Sequence, residues 1–136
     1  METMSIKPIE SKKYSGFEDE YARYIERKQL CDVSLWKKFV KVFVDRSDIA
    51  DDGWRSEYFG KMMRGACMTY AYTQSQELYN VLTDAVEELL KTQDEYGRIS
   101  GYDVEHEFRG WDVWGRKYVL VGLEYFYGIC RDGALK

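Results

Sequence analysis

The segment that decides the fold is YDVEHEFRGWDVWGRKYVLVGLEYFYGIC, residues 102–130. It starts polar and charged and ends as an almost wholly apolar run, which predicts a helix from about Asp112 to Asp132. A helix that is apolar on every face has to be enclosed by protein or by lipid. Gly122, Glu124 and Gly128 interrupt the run, so it falls short of the ~20 apolar residues of a membrane span. We therefore predict no membrane span and expect the helix to need protein around it.

Composition and charge indicate a globular chain with an acidic balance. The 136 residues are 45% hydrophobic and 16% aromatic, which favours a packed core over disorder. This length predicts one domain. The net charge of −4 at pH 7 disfavours binding to nucleic acid, because proteins that bind nucleic acid normally carry a basic face.

The cysteines and the N-terminal residues bear on metal binding and location. Cys31, Cys67 and Cys130 are far apart and belong to no CxxC or Cys/His pair, so they predict no zinc site. Residues 1–11 contain no apolar stretch typical of a signal peptide. The reducing cytoplasm is therefore the expected location.

The first half of the chain predicts an extended arm followed by two helices. Residues 1–16 are predicted to be extended, because the stretch around Pro8 fits a strand or an irregular lead-in. A helix is predicted at 17–30, and Ser34 is predicted to cap the next helix. Apolar residues recur in that second helix at spacings of three and four: Trp36, Phe39, Val40 and Phe43. Residues 48–53 read as a polar loop.

Three more helices are predicted at about 54–72, 76–92 and 112–132. The middle one has two faces, is capped by Ser75, and directs these residues inward: Leu78, Leu82, Ala85, Val86, Leu89 and Leu90. The other two are mostly apolar. We therefore expect 54–72 and 112–130 to pack side by side, with 76–92 outside them. This order is typical of a double ring with inner and outer helices, but an ordinary helical bundle also produces it.

Three segments carry a resemblance to a known family. They are residues 54–66 (WRSEYFGKMMRGA), 89–99 (LLKTQDEYGRI) and 110–118 (GWDVWGRKY). In this order and spacing they resemble the N-terminal part of glycoside hydrolase family 127, the β-L-arabinofuranosidase family. The most specific piece is the turn at 93–99 followed by Trp111-Asp112. The resemblance covers roughly residues 14–132.

The resemblance implies an all-α fold for this chain. The family has an (α/α)6 toroid followed by β-sandwich domains, so residues 17–136 are expected to form an incomplete barrel segment of about five to six helices. The family uses a zinc-bound cysteine nucleophile and a glutamate acid/base, whose motifs would lie beyond the end of this sequence. No cysteine here stands in a matching motif. We therefore predict no catalytic residue, no metal ligand and no cofactor in this chain, with zinc expected downstream.

The resemblance also suggests where a sugar would bind. In α/α barrels the substrate lies near the N-terminal ends of the inner helices, where aromatic rings stack on sugar faces and carboxylates accept hydroxyl hydrogen bonds. The predicted sugar-binding residues are Trp54, Tyr102, Trp111, Asp112 and Trp114, and the loop 101–110 is expected to cover the site. An alternative for Asp112 is a helix cap or a first-turn residue favoured by the helix dipole. The alternative for the tryptophans is packing in the core.

The expected partner of the parent enzyme is a carbohydrate, namely L-arabinofuranosides or related plant-type glycans. The chain alone is expected to hydrolyse no aryl glycoside. Two other functions stay open at this point. One is a small helical interaction domain that self-associates through exposed apolar helix flanks. The other is a different carbohydrate-active enzyme on the same toroid, such as an epimerase or a lyase, because a fold does not determine function.

Overall fold

A computed structural model describes residues 14–49 and 54–131, and within these ranges the chain is all-α, as predicted. The helices are α1 (Phe17–Ile25), α2 (Val33–Asp45), α3 (Glu57–Thr73), α4 (Gln76–Leu90) and α5 (Asp112–Ile129). A π-helical turn extends α1 over Glu26–Leu30, and a 3-10 turn over Trp54–Ser56 precedes α3. Most of the predicted extended arm, residues 1–13, lies outside the described residues.

Local sequence signals determine several helix ends. Ser75 caps α4 as predicted, because its Oγ accepts a hydrogen bond from Leu78 N at 3.2 Å. The prediction that Ser34 caps α2 is wrong. Asp32 is the N-cap, and its Oδ1 accepts from the amide nitrogens of Ser34 and Leu35 at 2.8 and 3.2 Å. A carboxylate at the end of the preceding turn reaches both free N–H groups, so the helix starts earlier than the apolar periodicity indicates.

The helices α3 and α5 run parallel and touch. Ser56 lies against Gly115, and further along Gly60 lies against Tyr118 and Gly122, so residue numbers rise together in both helices. A Cβ built on Gly60 would meet the Tyr118 backbone oxygen at 1.7 Å, and one on Gly122 would meet Gly60 Cα at 2.8 Å. The helix axes therefore approach so closely that neither glycine has room for a side chain. This arrangement confirms the prediction that the two helices pack side by side.

The helices α2 and α4 form a second layer on α3. The short turn before α4 reverses the chain, and the Tyr70 and Tyr79 rings meet across it at 5.4 Å. Arg46, which follows α2, donates from Nη2 to the carbonyl oxygen of Thr92, which follows α4, at 2.7 Å. The two helices consequently end on the same side and run parallel to each other, opposite to α3 and α5. Of the inward residues predicted for α4, Leu90 is partly buried and the others are buried.

The apolar helix α5 is covered on one face only by the residues that the structure describes. Its buried residues form a single stripe: Asp112, Gly115, Val119, Gly122 and Phe126. On the opposite side Val113 is 57% exposed and Leu120 is 67% exposed. The expectation of a helix enclosed on every face is thus not met by residues 14–49 and 54–131. Among those residues no helix combines the length and the apolarity that crossing a membrane requires.

Candidate functional site

The N-terminal ends of α3 and α5 lie next to each other and present three tryptophans. Trp54 lies in the turn before α3, Trp111 directly precedes α5, and Trp114 lies in the first turn of α5. The close contact between Ser56 and Gly115 joins these two ends. The tryptophans are between 39% and 43% exposed, so each is partly packed and partly accessible. The three tryptophans therefore lie at the same end of the α3–α5 pair.

Trp111, Trp114 and Tyr118 form a continuous aromatic cluster along α5. The ring centroids of Trp111 and Trp114 are 5.9 Å apart, and those of Trp114 and Tyr118 are 5.2 Å apart, both with edge-to-face geometry. Lys117 Nζ lies 3.4 Å from the Trp114 centroid and 4.0 Å from that of Tyr118. Such an ammonium over a ring face is a cation–π contact that orients the cluster.

Glu57 connects the aromatic cluster of α5 to α3. The Trp114 indole Nε1 donates to Glu57 Oε2, and Lys61 Nζ donates to Glu57 Oε1 at 2.6 Å. Burial opposes ionisation of Glu57, but the hydrogen bonds from Lys61 and Trp114 lower the pKa of its carboxyl below the ordinary value. The carboxylate is therefore ionised at neutral pH and lies at the edge of the aromatic cluster. Glu57 and Lys61 are four residues apart, so their ion pair spans one turn of α3.

Trp54 belongs to a neighbouring aromatic group on α3. Its ring meets that of Tyr58 at 5.3 Å, and Tyr58 in turn meets Phe39 of α2 at 6.0 Å. Trp54 and Glu57 are three residues apart on the same turn, so Trp54 lies beside the carboxylate that binds Trp114. We call Trp54, Glu57, Trp111, Trp114 and Tyr118 the aromatic surface.

Asp112 is buried and its carboxylate binds groups of the chain itself. Oδ1 accepts from Ser100 Oγ at 2.5 Å and from Arg116 Nε at 2.9 Å. Oδ2 accepts from Phe108 N at 2.8 Å and from Arg116 Nη2 at 2.7 Å. The sequence predicted a sugar ligand at this position. The structure instead places the carboxylate, only 1% exposed, between α5 and the preceding loop.

Tyr102 is also buried, although the sequence predicted contact with a sugar. Its side chain is 0% exposed, and its hydroxyl accepts a hydrogen bond from Trp111 N at 3.1 Å. Arg98 Nη1 donates to the carbonyl oxygens of Tyr102 and Asp103 at 3.2 and 3.1 Å. Tyr102 thus holds the loop 101–110 against the start of α5. It positions Trp111 without facing solvent itself.

Asp48 has a central role that the sequence analysis did not predict, because this residue stands in a predicted polar loop. Asp48 is buried, forms a parallel bridge with Tyr102, and accepts from Arg55 Nε at 2.9 Å. Ser56 Oγ also donates to it, at 3.3 Å. A Cβ on Gly101 would come within 2.9 Å of Asp48 Oδ2, so the loop passes here as bare backbone. Only tertiary packing brings these groups together, and no sequence spacing marks them.

The described residues contain no group of three or more His, Cys, Asp or Glu side chains that could hold a metal ion. The cysteines are free thiols distributed through the helices and the core. Burial raises the pKa of the Cys31 thiol to about 11 and that of Cys67 to about 12. A thiol with a raised pKa is a weak nucleophile at neutral pH, because little of it is ionised.

Comparison with known proteins adds no identity. No family of known proteins, no curated protein and no solved structure matches this chain. The residues of the site itself indicate what it can bind. The tryptophan rings are only partly exposed, and the Lys117 ammonium occupies one face of Trp114. The indole surface that stays exposed can stack on an apolar ring face, and the carboxylate of Glu57 and the ammonium of Lys61 can hydrogen-bond its polar substituents.

Proposed function

We propose that this chain is the N-terminal helical part of a glycoside hydrolase that acts on L-arabinofuranosides or related plant-type glycans. It contributes inner helices and sugar-binding residues but not the nucleophile. The observation that carries the proposal is the aromatic surface at the adjoining N-terminal ends of α3 and α5. A sugar presents an apolar face to an indole and hydroxyl groups to a carboxylate, which matches this combination of groups.

The arrangement of the helices supports the proposal that this chain forms part of an (α/α)6 toroid. In such a toroid the inner helices run parallel to one another, and each is followed in the chain by an outer helix of opposite direction. The parallel pair α3 and α5 corresponds to inner helices, and the parallel pair α2 and α4 corresponds to outer ones. The open face of α5 lies where another inner helix of a ring would pack.

The residues at the site then have two kinds of role. Trp54, Trp111 and Trp114 stack on the sugar, and Glu57 accepts hydrogen bonds from its hydroxyl groups. Tyr102 and Asp112 are positioning residues, because both are buried and hold the loop that precedes Trp111. In this proposal the catalytic residues and the metal ligands of the enzyme lie outside this chain.

Sugar binding can be tested by tryptophan fluorescence. Titration with L-arabinose oligosaccharides is expected to change the emission of the native chain in a saturable way, and Trp114→Ala is expected to weaken binding about tenfold, within the range for a lost stacking contact. Tyr96→Ala is the matched control, since it removes an exposed aromatic residue elsewhere. Aryl β-L-arabinofuranosides should stay intact in the same samples. Absence of binding, or equal binding by both variants, would contradict the proposal.

The exposed face of α5 favours a second candidate function, that of a helical interaction domain. Leu120 is 67% exposed and Val113 is 57% exposed on this face. Exposed apolar residues that lie together on one face of a helix are typical of an interaction surface. This candidate predicts self-association without sugar binding. Measuring sugar binding and molar mass on the same sample therefore separates the two functions.

A further inference from the structure

The outer face of α5 combines apolar residues with Lys117 and Glu124, and it is bordered by Arg116, which is paired with Asp112 and Glu107. Opposite the buried stripe lie Val113, Lys117, Leu120, Val121, Glu124 and Tyr127, which we call the outer face. A shallow depression of about 330 Å³ lies among several of these side chains. Leu120 is the most exposed of its apolar members, at 67%. Such a face is typical of a helix that packs against another helix.

The order of charges along this face is self-complementary. Lys117 and Glu124 are seven residues apart, about two turns or 10.5 Å along the helix, so both project from the same side. Leu120 and Val121 lie midway between them. If a second copy of the helix is turned end for end about this midpoint, Lys117 of each copy faces Glu124 of the other. A parallel pairing in register would place like charges together.

The same end-for-end rotation also places a small residue opposite a large one at each end of the outer face. Gly128 is exposed, and a Cβ built on it would have no atom within 4 Å. The same end-for-end rotation brings Gly128 opposite Val113, which is 57% exposed. A residue without a side chain opposite a branched apolar one lets two helix backbones approach closely.

We propose that the outer face of α5 pairs with the same face of a second copy of this chain, antiparallel, about a two-fold axis near Leu120 and Val121. Each Lys117 then faces Glu124 of the other copy, and the contact closes on itself as an isologous dimer. In the single chain Lys117 Nζ lies over Trp114, and the flexible stem lets it swing toward a facing carboxylate. The pairing rests on the second candidate function, self-association through this face, whose partner and direction it specifies, and it does not depend on sugar binding.

Sedimentation equilibrium of charge variants tests the pairing and its direction. The native chain is expected to dimerise, and both Lys117→Glu and Glu124→Lys are expected to weaken the dimer at least about tenfold, because each replaces two ion pairs with like-charge contacts. An equimolar mixture of the two variants is expected to form a heterodimer. The double variant Lys117→Glu/Glu124→Lys is expected to regain the native dimer constant.

Two control variants distinguish this dimer from nonspecific association. Lys91→Glu reverses an exposed charge after α4 and should leave the dimer constant unchanged. Leu120→Asp should give a monomer with the helical circular dichroism of the native chain, because Leu120 does not belong to the hydrophobic core. A native chain that stays monomeric would overturn the proposal and leave the face to further helices of a ring. Charge variants that dimerise like the native chain would overturn it as well.

Discussion

Replacement of Gly60 by alanine tests whether α3 and α5 are held together by a glycine contact. The new Cβ would lie 1.7 Å from the Tyr118 backbone oxygen. The helices would have to separate by about 1.3 Å to relieve this overlap, and a gap of that size forfeits up to half of the dispersion energy across the crossing. Overpacking of this kind costs about 1–3 kcal/mol, with a further loss where backbone has to move.

The helix propensity of alanine works in the opposite direction. Alanine favours a helix interior over glycine by about 1 kcal/mol. Because the new Cβ meets backbone, the overpacking cost lies at the upper end of its range, about 3 kcal/mol, and the net destabilisation expected for Gly60→Ala is about 2 kcal/mol. Gly65 lies in the same helix, is exposed, and would offer a new Cβ open space. Gly65→Ala should therefore stabilise the protein by about 0.5–1 kcal/mol.

Thermal and urea unfolding followed by circular dichroism measure both changes. For a chain of this length a loss of about 2 kcal/mol lowers Tm by roughly 6–10 °C, whereas Gly65→Ala should raise it by roughly 2–4 °C. The opposite signs are the essential result, because propensity alone would raise Tm in both variants. A Gly60→Ala protein as stable as Gly65→Ala would refute the close approach of the two helices.

Three further predictions concern buried and paired groups. Asp112→Asn should destabilise the fold by about 2 kcal/mol in urea titrations, because it removes the charge that faces Arg116, whereas a simple capping role would leave Asn nearly as good as Asp. The hydrogen bond from Arg98 holds the pKa of Asp94 at about 2, below its value of 3.8 in the unfolded chain. Asp94 therefore contributes stability above pH 4 that is lost as the pH falls toward 2, and the difference in Tm between native protein and Asp94→Asn should vanish over that range; a constant difference would contradict it. Because burial raises the pKa of Cys67 to about 12, this thiol should stay unmodified by Ellman's reagent in native protein near pH 8 and react after unfolding, with Cys67→Ser identifying its share of the signal.

Periodicity was sufficient to predict α2, α3, α4 and α5, because each of these helices buries a stripe that follows the helical repeat. The inward residues of α4 and the Ser75 cap are read directly from spacing. The pairing of α3 with α5 was also predictable, since their small and apolar residues require close neighbours. Ser34 was a wrong prediction because the Asp32 carboxylate accepts from the amide nitrogens of Ser34 and Leu35, so the helix begins at Val33 and already includes Ser34.

The candidate site was predictable in its tryptophans but not in its polar interior. Trp54, Trp111 and Trp114 stand at helix starts, and a helix start is visible in the sequence. Burial of Asp112 and Tyr102 depends on how a long loop folds back, and no local rule determines that. The same is true of Asp48, whose partners lie beyond the polar segment in which it stands.

The parallel contact between α3 and α5 has a consequence for the order of folding. The helices α3 and α4 meet through a short turn, so this hairpin can form with little loss of chain entropy. Gly60 and Tyr118 are instead separated by roughly 60 residues, and a contact between such distant segments forms later and more slowly. The aromatic surface exists only once α5 has docked. We therefore expect Trp114 to reach its native environment in the last kinetic phase, after most helical signal has already been gained.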